Sequence, residues 1–302
     1  MTTQLAEPRG DPTVHRVAAP RRIIVGVDSS DNASRAATWA GREAADRGLP
    51  LHLVHALDEP GAMGKRFEPP HYAATRSKAG EQLLKRIASM LHESLPDLAV
   101  TTEISALPAA EALVDLSGEA ELVVAGTRGQ GGFAGLLLGS VSHALAAHAR
   151  CPAVIVRGEE PGSLLSEIVL GVESDQGQAP VRFAFATAAA VGASVTAVRA
   201  WWMRSAYEGH YSTSEFSAAK DAEEADVTEL IKAAREEYPH VDACVQTIRG
   251  NAVPVLTNAA QGSRLLVVGA HRHRGPLSVG TGYAVQGLLA HSHTPVAVVP
   301  IT

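Results

Sequence analysis

The sequence predicts an α/β protein built from two tandem, open, doubly wound parallel-sheet domains. Three observations carry this. The chain is written twice. Ile23-Ile24-Val25-Gly26-Val27-Asp28-Ser29 returns as Ile168-Val169-Leu170-Gly171-Val172-Glu173-Ser174. Leu122-Val123-Val124-Ala125-Gly126 returns as Leu265-Leu266-Val267-Val268-Gly269, and Cys151-Pro152-Ala153-Val154-Ile155-Val156 as Thr294-Pro295-Val296-Ala297-Val298-Val299. Landmarks repeated in the same order mark a duplicated domain, and each copy of roughly 135 residues matches the common domain size. Within the first copy, apolar runs alternate with stretches of helical period, as in a parallel sheet with helices on both faces. Hydrophobic residues make up 46% of the chain and aromatics only 4%. Ala, Val and Leu must therefore fill the interior, as in tightly packed parallel sheets.

The expected organisation is a disordered lead-in over 1–20, a first domain over 21–157, a linker over 158–165 and a second domain over 166–302. Residues 22–27 are an apolar run, read as a buried strand. Ser30 or Asp31 caps a helix whose Ala33, Ala36, Ala37, Ala40 and Ala44 are small enough to lie close to a sheet, and Gly48 ends it. Leu51 to Leu57 is the second strand. Residues 58–71, rich in Gly and Pro, form a loop, and a long amphipathic helix follows at about 73–94. Leu98 to Ile104 is the third strand. A short helix opens after Pro108, a good first-turn residue. Leu122 to Ala125 is the fourth strand, a glycine-rich loop follows, then a helix from about 139 and a last strand over 153–156.

Net charge is −6 and the pI about 6.1. No basic patch appears, so nucleic acid is not an expected partner. No apolar stretch reaches the ~18–20 residues of a membrane helix. Residues 1–20 lack an apolar signal core, which points to a cytoplasmic protein. Cys151 and Cys244 form no CxxC pair and sit in apolar, strand-like surroundings, so both are read as buried structural thiols.

The sharpest local feature is Gly126-Thr127-Arg128-Gly129, closed after nine residues by Gly139-Ser140. Gly126 and Gly129 stand where a strand ends, Gly139-Ser140 where a helix begins. Glycines let backbone approach a phosphate without an intervening Cβ. The helix start adds free N–H donors and partial positive charge, and Ser140 adds a hydroxyl donor. Glycines alone would suit a plain surface loop, but placement favours a site. Asp28 ends the first strand and Gly126 the fourth. In a sheet ordered 3-2-1-4-5 these strands are neighbours at the topological switch point, where open α/β sheets bind ligands. No G-x-x-x-x-G-K-[ST] motif is present, which excludes a Walker-type NTPase.

This loop resembles the G-x2-G-x9-G-[ST] signature of ATP-binding universal stress proteins. The Val-Gly-Val-Asp-Ser opening, the Leu-Val-His-Ala second strand and the Cys-Pro-Ala-Val last strand are similar to the same family, closely over 22–157 and more loosely over 166–302. The resemblance implies a Rossmann-like fold and an adenine nucleotide, ATP, as cofactor. It implies that Asp28 contacts the adenosine, with Gly26 and Val27 beside it, and that Ala56 borders the adenine through its backbone. Ala125 and Gly126 would line the nucleotide with Arg128 near it, and Gly129, Gly139, Ser140, Val141 and Ser142 would hold ribose and phosphates. Mg2+ would ride on the phosphates. In that family the final strands pair domains, so intramolecular pairing of the two halves is expected, with a further homodimer left open.

The second copy departs from the signature. Gly269 and Gly282 remain, but Arg272 replaces the second glycine, Tyr283 stands where Ser or Thr belongs, and Glu173 replaces the aspartate. Either His271-Arg272-His273-Arg274 binds phosphate by charge, or the site has decayed and this half is kept for pairing. His271, His273, His291 and His293 lack companion ligands and are read as surface or helix-end histidines. Trp201-Trp202-Met203 either fills the mouth of the second sheet or marks a ligand or partner surface. The acidic residues between Asp221 and Glu237 are read as the wet face of a helix. The function that follows is a nucleotide-responsive stress regulator that acts on an unknown protein partner and is not an enzyme. The alternatives are a slow ATP hydrolase and a nucleotide-free dimerisation module.

Overall fold

The computed structural model describes residues 21–57, 70–129, 138–157, 166–173, 176–202, 213–271 and 282–301. The expected lead-in, the linker, most of the glycine-rich loop, Met203 and Arg272 lie outside the described residues.

The first half runs β1 (Ile23–Gly26), α1 (Asp31–Asp46), β2 (Leu51–Ala56), α2 (Pro70–Ser94), β3 (Val100–Ser105), α3 (Ala109–Leu116), β4 (Leu122–Gly126), α4 (Ser140–His148) and β5 (Ala153–Val156). The second runs β6 (Glu167–Gly171), α5 (Ala179–Val191), β7 (Ser194–Trp201), α6 (Thr213–Glu237), β8 (Ala243–Arg249), α7 (Ala252–Ala259), β9 (Leu265–His271), α8 (Tyr283–His291) and β10 (Val296–Ile301). All ten strands form one sheet, ordered β3-β2-β1-β4-β5-β10-β9-β6-β7-β8. Each half therefore has the order 3-2-1-4-5, and the pairings within each half are parallel. The halves join where β5 meets β10 antiparallel, with Val154 opposite Ala297.

Ile23, Ile24 and Val25 are wholly buried, which is why β1 is continuously apolar rather than alternating. Ser30, not Asp31, caps α1: its hydroxyl oxygen accepts from the Ala33 N–H at 3.2 Å. The five small residues expected on its inner face are all buried. Past the helix end, Gly48 takes φ +63°, a conformation that glycine adopts without the steric cost of a Cβ. Ser30→Ala removes this cap and is expected to cost about 1 kcal/mol, read as a shift in the urea midpoint. An unchanged midpoint would show that the cap contributes nothing.

Side chains of alternate strand positions build two apolar layers, one per sheet face, and each runs across both halves. Beneath α1 and α5, Ile23, Leu51, Leu122, Ile168 and Leu265 share one layer with Phe185 of α5. Against α3, α4, α7 and α8, Ile24, Leu145, Ile155, Leu266 and Leu288 share the other.

Four local expectations are corrected. Pro70 and His71 belong to α2 rather than to the preceding loop. The third strand starts at Val100: Leu98 is buried in the turn before it, its N–H bonded to the Leu95 carbonyl at 3.1 Å. Pro108 is the cap of α3 rather than its first helical residue. Cys151 is buried but Cys244 is exposed, because β8 is an outer strand of the sheet and Cys244 falls on its exposed alternation.

Polar contacts reinforce the junction of the halves. Glu43 is completely buried on α1 and takes both Arg47 (2.5 Å) and Arg264 (2.9 Å) of the second half. Arg264 also reaches Asp46 at 2.6 Å, and Arg47 donates to the Thr187 hydroxyl at 2.9 Å and lies over the Phe183 ring. Burial alone would lower the pKa of the Arg264 guanidinium. The carboxylates of Glu43 and Asp46 outweigh it, so the net displacement is upward and the arginine stays charged. On the opposite sheet face Arg157 donates to the Ala290 carbonyl.

Candidate functional site

A cleft of about 650 Å³ opens where β1 and β4 end, within the usual size of small-molecule sites. β1 and β4 are direct neighbours, with Val25 opposite Val124, and the crossover connections diverge there. The structure brings all twelve residues singled out above to this one cleft: Gly26, Val27, Asp28, Ala56, Ala125, Gly126, Arg128, Gly129, Gly139, Ser140, Val141 and Ser142.

Each wall has a local cause. Asp28 is held by its own turn: its Oδ1 accepts from the Ser30 N–H at 2.9 Å and from the Ser30 hydroxyl at 2.5 Å. The same serine thus caps α1 and fixes the carboxylate. Gly126 lies against α1, where an added Cβ would come within 2.8 Å of the Asn32 backbone. At Gly129 an added Cβ would collide with Asp28 Oδ2. The start of the glycine-rich loop therefore lies directly over the aspartate, so close that a Cβ there would force the Asp28 carboxylate or the loop to shift.

α4 supplies the other wall. Its cap, Gly139, is extended and provides no side-chain bond to the helix, so the first-turn N–H groups lack a side-chain cap. They carry the positive end of the helix dipole. The Gly139 N–H donates to the Thr127 carbonyl at 2.7 Å, closing the base of the loop. Ser142 is 1% exposed, and its hydroxyl donates to the Gly126 carbonyl at 2.6 Å. That hydroxyl proton braces the loop and is directed at protein, not at the cleft. Ser140 is exposed at the helix start. Arg128 is also exposed, and its charge helps hold the neighbouring Arg157 guanidinium below its usual range, after burial. The end of the cleft beside Arg128 is thus cationic.

Sequence reasoning missed several residues here. The cap residue Pro108, the α3 residues Ala109, Ala110 and Leu113, His55 of β2 and Leu138 also line the cleft. Asn32 donates to the Arg128 carbonyl at 3.1 Å and is itself held by Arg35 at 2.7 Å. Asn32 at the first turn of a helix carried no signal of its own, because its partner lies far away in sequence.

The second half differs at the matching place. β4 leaves the sheet at Gly126, opposite Val156. β9 instead stays paired to β10 through Gly269, Ala270 and His271, opposite Val299, Pro300 and Ile301. An added Cβ on Gly269 would meet the side chains of Ile301 and Pro180, so that glycine serves packing. Tyr283, in the place of Ser140, is 89% exposed. Trp201 is buried against Phe216, while the half-exposed Trp202 stacks on Arg249, which also lies over Phe216. His291 and His293 are exposed. Among the described residues no group of three or more His, Cys, Asp and Glu could hold a metal ion. No described helix is long and apolar enough to cross a membrane.

Comparison with known proteins agrees with this architecture. The model of the universal stress protein family matches twice, over residues 20–157 and 165–300. A universal stress protein of Mycolicibacterium smegmatis is 31% identical over 288 residues, covering 92% of this chain and 96% of that protein. One from Mycobacterium tuberculosis is 27% identical over 293 residues, covering 93% and 99%. Among solved structures, a universal stress protein from Archaeoglobus fulgidus superposes with a TM-score of 0.64 at 15% identity, covering 92% of this chain and 98% of that one. That likeness is one of fold. With a doubled family match over almost its whole length, the chain belongs to the universal stress protein family, as a tandem pair.

Proposed function

We propose that the protein is a nucleotide-responsive regulator that binds one ATP, in the cleft of its first half, and presents the resulting surface to a protein partner in the cytoplasm. The observation that carries this reading is the approach of Gly129 to Asp28 at the mouth of the cleft, so close that a Cβ would meet the carboxylate. Backbone N–H groups of that loop and of the α4 start suit phosphates, and Arg128 adds charge. Asp28 and the Val27 and Ala56 backbones suit the ribose and adenine. Mg2+ is proposed to ride on the phosphates.

We read the chain as a binding protein rather than an enzyme. The carboxylate best placed as a general base, Asp28, is already tied to Ser30, and general-base catalysis needs a group within reach of the attacking proton. The second half is proposed to be a nucleotide-free pairing module. What supports this is the continuation of β9 along β10, which keeps in the sheet the backbone that copy one turns over its cleft.

The test is the adenine nucleotide content of the purified protein, by denaturation and mass analysis, together with calorimetry. One nucleotide per chain is expected. Two would make the basic loop after β9 a phosphate site, and none by either method would remove the nucleotide reading.

A further inference from the structure

His55 lines the cleft between Val54 and Ala56. Its Nδ1 lies 2.9 Å from the Val27 carbonyl oxygen. A carbonyl only accepts, so Nδ1 carries the proton and donates. The Val27 N–H is meanwhile bonded to the Val54 carbonyl at 2.9 Å. Both polar groups of Val27 are thus held by β2, immediately before Asp28. α2 closes over the same ring: a Cβ on Gly80 would come within 2.7 Å of His55 Cδ2. The imidazole is clamped between the end of β1 and α2, and its fixed orientation serves the hydrogen bond.

The second half repeats the contact with a different residue. Gly26 pairs with Val54 and Gly171 with Val198, so His55 and Arg199 stand one step past the same register point. Arg199 Nη1 donates to the Val172 carbonyl at 3.3 Å, the counterpart of the Val27 carbonyl. Its Nε pairs with Glu223 of α6 at 2.9 Å. Both halves pin the same carbonyl from the second strand: one with an imidazole packed under α2, the other with an arginine ion-paired to the covering helix.

We propose that His55 is the positioning residue of the nucleotide cleft, fixing the Val27–Asp28 corner against which the adenosine seats, and that Arg199 with Glu223 is its permanently charged replacement in the second half. This rests on the nucleotide reading of the first cleft. His55 acts through the backbone, so its signature is the donor and not the ring.

Two variants separate these. His55→Asn offers an amide N–H at nearly the reach of Nδ1, and His55→Phe keeps a ring without a donor. With ADP and an ATP analogue in calorimetry, His55→Phe is expected to bind about tenfold more weakly, because the Val27 carbonyl loses its partner. His55→Asn is expected to stay within about threefold of the wild type. Equal affinity in the Phe variant and the wild type would overturn the assignment, as would an equal loss in both variants. Hydrogen exchange of the Val27 and Ser30 amides without nucleotide is the second readout. Faster exchange in His55→Phe, restored in His55→Asn, is expected, and unchanged exchange in His55→Phe overturns the proposal. If the wild type itself binds no adenine nucleotide, the nucleotide reading falls, and the exchange data alone decide whether His55 positions the corner.

Discussion

A Gly129→Arg protein is expected to fold normally and to lose nucleotide affinity by on the order of 100-fold, about 2.7 kcal/mol. The variant gives the first loop the residue that stands at this place in the second. Its Cβ falls on Asp28 Oδ2. The carboxylate cannot swing aside cheaply, because its other oxygen holds both the N–H and the hydroxyl of Ser30. Either the loop lifts away from the cleft, or Asp28 leaves Ser30 and loosens the start of α1. In the first case the loop backbone would no longer reach the proposed phosphates, and in the second Asp28 would no longer hold its place at the proposed adenosine. Gly129 lies on the surface, so the core is untouched and circular dichroism should match the wild type. Calorimetry with ATP reads the loss. Wild-type affinity in this variant would mean that the loop does not hold the phosphates.

The second large effect is expected at Glu43. Replacement by Ala leaves Arg47 and Arg264 facing one another without the carboxylate that joins them, at a place where Glu43 itself has no exposure. Breaking a buried ion pair from one side costs about 3–5 kcal/mol, since a buried charge is left uncompensated. Asp46 remains on Arg264, and this favours the lower end of that range. Glu43→Gln, which keeps the volume and one acceptor oxygen, should lose less. Urea unfolding measures both, through the midpoint at constant slope. A loss under about 1 kcal/mol in the Ala variant would show that the junction rests on its apolar layers and the strand pairing alone.

The two experiments probe features of very different legibility. The strands and the helix faces follow from a local signal, apolar runs of strand length, small residues at helical spacing and a landmark sequence that occurs twice, whereas the strand order came with the doubly wound class and the family resemblance. The glycines were legible because glycine marks where backbone must come close, and Asp28 because it ends the first strand beside them. Glu43 was not. In sequence it is one half of an ordinary i,i+4 pair with Arg47, which on most helices faces water. Only the fold brings Arg264 to it. His55 and Asn32 were missed for the same reason, since each acts on a carbonyl remote in sequence. Ser142 lines the cleft, and its hydroxyl proton goes to the Gly126 carbonyl. A motif specifies that a hydroxyl is present without specifying which acceptor it reaches. Cys244 was misread because the composition of an outer strand resembles that of a central one, and only the strand's place in the sheet decides exposure.

The antiparallel meeting of β5 and β10 has a directional consequence. Every strand of the first half runs opposite to every strand of the second. The carboxyl ends of β1 and β4 therefore emerge at one rim of the sheet, and those of β6 and β9 at the other, about a strand length of ~17–20 Å away. The plate is two-headed: one rim carries Gly126, Gly129 and Asp28, the other Trp202, Arg249 and Tyr283. A protein that grips the aromatic head leaves the glycine head open to solvent, and substitutions can remodel either head while the seam between them stays the same.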